Sequence, residues 1–278
     1  MAVGNGSRGT VAEFWTGARW SLSATPNPSG SSSALSAVSC PRAGWCMAAG
    51  ERNSDAAPLM ERYSGGAWTT EPLAAPSGTS FIVLDAISCP SEASCLAVGS
   101  GIVHGHKVVM AERYANGTWT DVPLTLRGRQ PNLSAVSCLA SGGYCLAVGE
   151  ANLQGFQGPI AVAFSGASVT DLSPGGGSRA GLYGVECLAA ARCVTAGATS
   201  RGTVDSAFSE ELAGTHWRSL KVANPGVPDA LTGGVWCRTA RSCVAAGYYA
   251  GQGAETAPLS ELLGGTRWRS IPGVAKQL

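Results

Sequence analysis

The sequence predicts an all-β fold, a β-propeller of four-stranded blades. Three observations carry that expectation: ten cysteines in evenly spaced pairs, a repeat of about 49 residues, and no segment with sustained 3.6-residue apolar periodicity. The pairs are Cys40/Cys46, Cys89/Cys95, Cys138/Cys145, Cys187/Cys193 and Cys237/Cys243; four enclose five residues and one encloses six. Their first members recur at 49, 49, 49 and 50 residues. Zinc sites need a second close pair or accompanying histidines, and His104, His106 and His216 do not accompany the pairs. Five local disulfides are the reading, with ten buried thiols as the alternative. Disulfides imply an oxidising compartment, so the protein is expected to be secreted or held at a cell surface.

Each repeat reads as four strands. Strand a is the run Leu35-Ser-Ala-Val-Ser-Cys40, which returns before Cys89, Cys138 and Cys187, and more loosely before Cys237. Its alternation and β-branched content argue strand. The loop between cysteines closes the a–b hairpin. Strand b starts at the second cysteine and runs to Gly50, Gly99, Gly149, Gly197 or Gly247. A variable polar loop follows, such as Glu51 to Ala56. Strand c is the type of run found at Pro58 to Tyr63. A turn with Gly or Asn then precedes strand d, which opens at Trp68, Trp119, Trp217 or Trp268; the third complete repeat has Val169 there. Prolines such as Pro72 end strand d, because proline cannot donate to a ladder.

Residues 1–34 align as strands b, c and d of a further repeat: Met1 to Gly4 matches Met47 to Gly50, and Glu13 to Trp20 matches Glu61 to Trp68. The expectation is therefore one propeller domain over 1–278 with about six blades, divided at 1–34, 35–83, 84–132, 133–181, 182–230 and 231–278. The first blade lacks strand a, and an export signal is expected to have been lost with it. A five-bladed ring with residues 1–34 packed outside is the competing architecture. A β-solenoid has shorter rungs, and a 49-residue domain could barely bury a core alone.

Ser39-Cys40-Pro41, Cys95-Leu-Ala-Val-Gly99, Asn116-Gly-Thr-Trp119 and Trp20 to Pro28 resemble a repeat of secreted bacterial proteins. That repeat reads roughly Ser-Cys-Pro-x4-Cys-x-Ala-Val-Gly, then Asn-Gly-x-x-Trp, then a Pro-x-Pro tail. The resemblance implies a kelch-like or related propeller and carries no catalytic residues.

Charged residues are 13% of the chain and the net charge is +1. Nucleic acid is not expected as a partner, and no apolar run is long enough to span a membrane. No nucleophile elbow, zinc-protease motif or phosphate loop is present, so no catalytic residue and no cofactor is expected. His104 and His106 share one b–c loop and could hold a metal or shuttle a proton; a solvated loop is the plainer reading. A glutamate stands seven residues before each repeat tryptophan, at Glu13, Glu61, Glu112, Glu210 and Glu261. Kept in register, it reports blade geometry more than chemistry, and the tryptophans read as filler for the same reason. The irregular aromatics are the binding candidates: Trp45 and Tyr144 before the second cysteine, and Tyr248 and Tyr249 opening a b–c loop. Rim loops on a rigid scaffold are where binding concentrates.

The expected function is a monomeric, non-enzymatic recognition or scaffold module for a glycan, a cell-wall polymer or a protein. The alternatives are a carbohydrate-active hydrolase or lyase and a structural repeat fragment of a larger surface protein.

Overall fold

The computed structural model describes residues 1–27, 33–52, 57–153, 155–174, 179–201, 204–223, 229–250 and 256–271. Pro28 of the Pro-x-Pro tail and residues 53–56 of the first variable loop lie outside them. The chain divides into two compact units. The first is Met1–Thr125 with Gln130–Leu133 and Ala140–Gly142; the second is Leu126–Arg129, Ser134–Leu139 and Gly143–Leu278.

The described residues form antiparallel sheets that meander in chain order. In the first unit, β1 (Ala2–Gly6), β2 (Gly9–Trp15) and β3 (Trp20–Ser23) make a three-stranded sheet. Next come β4 (Ser33–Arg42), β5 (Trp45–Arg52), β6 (Ala57–Ser64) and β7 (Ala67–Glu71). The third sheet holds β8 (Thr79–Ser91), β9 (Ser94–Val103), β10 (His106–Ala115) and β11 (Thr118–Asp121).

A fourth sheet is made by β12 (Arg129–Cys138), β13 (Tyr144–Leu153), β14 (Phe156–Ser165) and β15 (Ser168–Asp171). The fifth has β16 (Ala180–Ala189), β17 (Arg192–Arg201), β18 (Val204–Phe208), β19 (Glu210–Ala213) and β20 (His216–Ser219). Here β18 and β19 both pair with β17, so strand c is interrupted at Ser209. The sixth has β21 (Asp229–Thr239), β22 (Ser242–Ala250), β23 (Thr256–Gly264) and β24 (Arg267–Ser270). The first sheet keeps the register of the others: Ala2 lies opposite Glu13 as Ala48 lies opposite Glu61.

All five cysteine pairs are bridged within their own a–b hairpins: Cys40–Cys46, Cys89–Cys95, Cys138–Cys145, Cys187–Cys193 and Cys237–Cys243. No cysteine is left free, which removes the alternative of ten buried thiols. The expected start of strand b needs correcting. It does not open at Cys46, Cys95, Cys145, Cys193 or Cys243 but one residue earlier, at Trp45, Ser94, Tyr144, Arg192 or Ser242. The reason is that pairing continues beyond the bridge toward the hairpin tip. Arg42 lies opposite Trp45, Ser91 opposite Ser94, Ala189 opposite Arg192 and Thr239 opposite Ser242. In the six-residue loop the Leu139 amide donates to the Tyr144 carbonyl at 2.9 Å and does the same work. The c–d turns use positive φ at Gly65, Asn116, Gly166, Gly214 and Gly265, the conformation that Gly and Asn tolerate best.

In the second to fifth sheets strand b is apolar at nearly every position because both of its faces are covered. In β5, Cys46 and Ala48 join a core with Ala12, Leu35, Leu59 and Trp68. Trp45, Met47 and Ala49 point the other way, into a core with Ile82, Leu84, Cys95 and Tyr114 of the third sheet. In the second unit, Tyr144, Leu146 and Val148 pack with Leu182, Val185 and Leu212. A further core gathers Val194 and Ala196 with Leu231, Cys243, Leu259, Leu263 and Trp268. Hydrogen bonds tie neighbouring sheets at their a strands. The Ser39 hydroxyl accepts from the Cys89 amide at 2.9 Å, and the Ser137 hydroxyl accepts from the Cys187 amide at 3.0 Å.

The glycine that ends the strand-b motif admits the backbone of strand a. A Cβ on Gly50, Gly99, Gly197 or Gly247 would lie 1.9, 2.0, 2.0 or 1.9 Å from the carbonyl oxygen of Ala34, Val83, Gly181 or Ala230. Both partners there are backbone, so relief requires parting the a and b strands. Gly99→Ala is expected to cost about 3 kcal/mol of unfolding free energy, as overpacking does. A denaturant midpoint equal to the parent's would show the strands can separate freely.

Candidate functional site

The structure corrects two of the expected binding residues. Trp45 is 3% exposed and Tyr144 is 7% exposed. Each opens its strand b one residue before the cysteine, so period-2 alternation places it on the face of Met47 and Ala49, or of Leu146 and Val148. These rings are core, with no face left for a ligand. The second cysteine of each hairpin is structural as well. Cys145, next to Tyr144, is buried in its bridge to Cys138, and Cys243 is buried in its bridge to Cys237. Cys145 lies on β13, which is covered on both faces, and Cys243 lies on the buried face of β22. Tyr248 and Tyr249 lie inside β22 rather than in a loop, both partly buried. Tyr249 packs against the Trp268 core.

His104 and His106 flank the turn between β9 and β10. His104 has φ of 49°, its amide donates to the Gly78 carbonyl at 2.9 Å, and its imidazole lies where a Gly78 Cβ would stand. The ring fastens the loop before β8. His106 is exposed. Among the described residues no group of three His, Cys, Asp or Glu side chains could hold a metal.

Four of the registered glutamates, Glu61, Glu112, Glu210 and Glu261, are buried rather than presented, and Glu13 is half-buried. Glu61 is 0% and Glu112 3% exposed. Burial pushes each carboxyl up to about 7; the Thr10 hydroxyl, donating to Glu61 Oε1 at 3.4 Å, offsets part of it. Glu210 is raised for the same reason, against a hydrogen bond from Ser219. The repeat tryptophans split: Trp68 and Trp268 are buried, whereas Trp20 is 51% exposed beside Trp15 at 50%, their ring centroids 5.7 Å apart.

Chemistry that varies between repeats collects at one kind of place. Strand a bulges just after its leucine, between Leu35/Ala37, Leu84/Ala86 and Leu182/Gly184. A bulge frees one residue from the ladder and re-aims its side chain. The freed residues are Ser36, Asp85 and Tyr183. In each unit one of them feels an acid that follows the strand-b glycine of the preceding sheet, Asp85 through the Glu51 charge and Tyr183 through a hydrogen bond to Glu150.

In the first unit, Asp85 is hydrogen-bonded to the Asn132 side chain and feels the charges of Lys107 and Glu51. Burial is the dominant influence and, with Glu51, raises its carboxyl to about 6, while Asn132 and Lys107 pull the other way. Among the described residues Glu51 Oε2 is buried with no hydrogen-bond partner. In the second unit, the Tyr183 hydroxyl donates to Glu150 Oε2 at 2.9 Å. Its pKa is raised by burial first, then by Glu150, with smaller influences from Asp205 and Tyr248. The second unit also has a cleft of about 540 Å³ lined by Gly128, Arg129, Asn152 and Gly155. Next to it, exposed Phe156 carries the Arg179 guanidinium 4.7 Å from its ring centre.

Sequence reasoning passed over Asp85 and Tyr183. The available signal was a position that changes, Ser36, Asp85, Ser134 and Tyr183, directly after a leucine that does not.

No family model matches the chain, and no curated protein matches it. Solved structures are similar in fold. YCF48 from Cyanidioschyzon merolae matches 99% of this chain and 81% of its own, at TM-score 0.55 and 14% identity. YCF48 solved with a bound peptide matches 94% of this chain and 74% of its own, at TM-score 0.54 and 14% identity. The fucose-recognising lectin of the fungus Aleuria aurantia, a six-bladed β-propeller, matches 87% of this chain and 78% of its own, at TM-score 0.52 and 13% identity. With its four-stranded antiparallel sheets, the chain is an all-β protein with the β-propeller fold, of about six blades.

Proposed function

We propose that this chain is a non-enzymatic recognition module that works in an oxidising, extracellular setting and binds a hydroxyl-rich ligand, a glycan or cell-wall polymer. The observation that carries the reading is a polar residue freed by the strand-a bulge in each unit: Asp85, hydrogen-bonded to Asn132 and within reach of the Glu51 charge, and Tyr183, hydrogen-bonded to Glu150. Carboxylates and a phenol held on a rigid sheet suit hydroxyl donors, because fixed acceptors need no reordering on binding. Five formed disulfides support export, as does the resemblance to secreted kelch-like repeats. A sugar-recognising and a peptide-bound propeller among the similar structures fit a binding role.

The test is saturable binding of the oxidised protein to arrays of glycans, cell-wall polymers and peptides. Asp85→Asn and Tyr183→Phe are each expected to weaken binding about tenfold, the worth of one hydrogen bond to a charged group. Binding equal to the parent's in both variants would remove these bulges as the site. Signal on peptides alone would move the ligand class to protein.

One observation favours a second reading, a carbohydrate-active hydrolase. Asp85, raised to about 6 chiefly by burial, is a carboxyl that keeps its proton closer to neutral pH, as a general acid requires. Polymer hydrolysis that falls more than a hundredfold in Asp85→Asn would establish it.

A further inference from the structure

Within the second unit, the Tyr183–Glu150 hydrogen bond and the cleft share two stretches of chain. The first is β13, where Glu150 and Asn152 stand two residues apart. They therefore project on one face, about 7 Å from each other, and Asn152 lines the cleft. The second is the start of β16. A Cβ on Gly181 would collide with both Glu150 Oε2 and the Tyr183 hydroxyl, so the two sheets approach closely there. Arg179, two residues earlier, lies over the ring of Phe156, the residue next to Gly155 of the cleft lining.

The two ends differ in chemistry. Glu150 and Tyr183 offer oxygens to a donor. At the cleft, Asn152 Oδ1 already accepts from the Gly155 amide at 3.0 Å, which leaves its NH2 to donate. Arg129 and Arg179 are exposed, and among the described residues neither pairs with a carboxylate. Asp171 instead faces Arg127 at 3.5 Å, and Glu150 is held by Tyr183. Gly155 has φ of 89° and no atom within 4 Å of a Cβ built on it, so a ligand can approach the backbone there. The volume of about 540 Å³ is in the range of small-ligand clefts.

We propose that the cleft and the Tyr183–Glu150 pair together bind a uronate unit of an acidic polysaccharide, its carboxylate at Arg129, Arg179 and Asn152 and its hydroxyls at Glu150 and Tyr183. Guanidinium groups match a carboxylate with two parallel hydrogen bonds. A uronic acid carries that carboxylate and several hydroxyl donors on one ring, as a strip with donors at one end and acceptors at the other requires. An acidic peptide offers the carboxylate but only one backbone donor per residue. The inference rests on the glycan reading above and adds the charge of the ligand to it.

The test is calorimetric titration of the oxidised full chain at pH 7 with a galacturonate trisaccharide, its fully methyl-esterified form and a tri-glutamate peptide. Saturable binding of the acid is expected, weakened about tenfold or more by esterification and about tenfold in Arg129→Gln, the worth of one hydrogen bond to a charged group. Tyr183→Phe is expected to weaken it as well. The Tm of Arg129→Gln should equal the parent's, since the side chain is exposed and makes no ion pair. Equal binding of acid and ester, or acid binding unchanged in Arg129→Gln, overturns the proposal and leaves the glycan reading standing. Binding of the peptide alone overturns both. No binding of any of the three overturns the proposal, and the glycan arrays then decide the broader reading by themselves.

Discussion

Full reduction of the oxidised protein is expected to unfold it at room temperature without denaturant. Each bridge closes a hairpin of six or seven residues in sequence separation, and a loop of that size contributes about 2 kcal/mol in the chain-entropy model. Five of them amount to about 10 kcal/mol, which is comparable with the whole stability of an ordinary domain. Circular dichroism with and without a phosphine reductant would read the loss directly. Retention of the strand signal and of the urea midpoint after complete reduction would show that the blades hold themselves together by packing. The order of reduction is also expected to follow burial. Cys40 is exposed while both Cys187 and Cys193 are buried, so the Cys40–Cys46 bridge should open before the Cys187–Cys193 bridge in a timed alkylation. The Cys237–Cys243 bridge, with both cysteines buried, belongs with the late group.

Stability is expected to fall as pH rises from about 4.5 to about 7. Glu61 and Glu112 are fully enclosed and burial lifts both to about 7. The folded chain therefore binds their protons more tightly than the unfolded chain does. Below the unfolded value of 4.5 both states are protonated and the folded state carries no charge penalty. Through the interval up to 7 the unfolded chain ionises first and gains the advantage. Above 7 the folded chain holds buried carboxylates, at a cost on the order of 3 kcal/mol for each. Asp85, raised to about 6, adds to the same trend. Glu61→Gln and Glu112→Gln together should flatten the profile and raise the midpoint at pH 8. A midpoint that climbs toward neutral pH in the parent would mean that these carboxylates gain partners when ionised.

The framework of this fold was readable because its constraints repeat. Cysteines that must meet across a hairpin, a glycine that must let a carbonyl pass, and an Asn or Gly at a positive-φ turn each recur at one spacing. Tandem recurrence turns weak local signals into a strong one. The candidate site was less readable because position in a motif does not fix side-chain direction. Trp45 and Tyr144 looked like loop tips, yet beginning the strand one residue before Cys46 and Cys145 turned both rings inward. Trp20 looked like filler by its register, yet it is half exposed beside Trp15. Asp85 and Tyr183 fell silent for a third reason. A bulge is a property of two strands in register, invisible along one of them, and it is what lifts these two residues out of the ladder.

The bridges have a consequence for how such a chain can change over generations. Every cysteine finds its partner inside its own hairpin, so the correct pairing is always the nearest one in sequence. Unequal crossing-over that inserts or deletes a whole repeat adds or removes a complete bridge and leaves no orphan thiol. The register of the remaining pairs is untouched, and oxidative folding meets no new wrong solutions. Length in this architecture can therefore drift by whole repeats, while the bulged positions of strand a diversify one at a time.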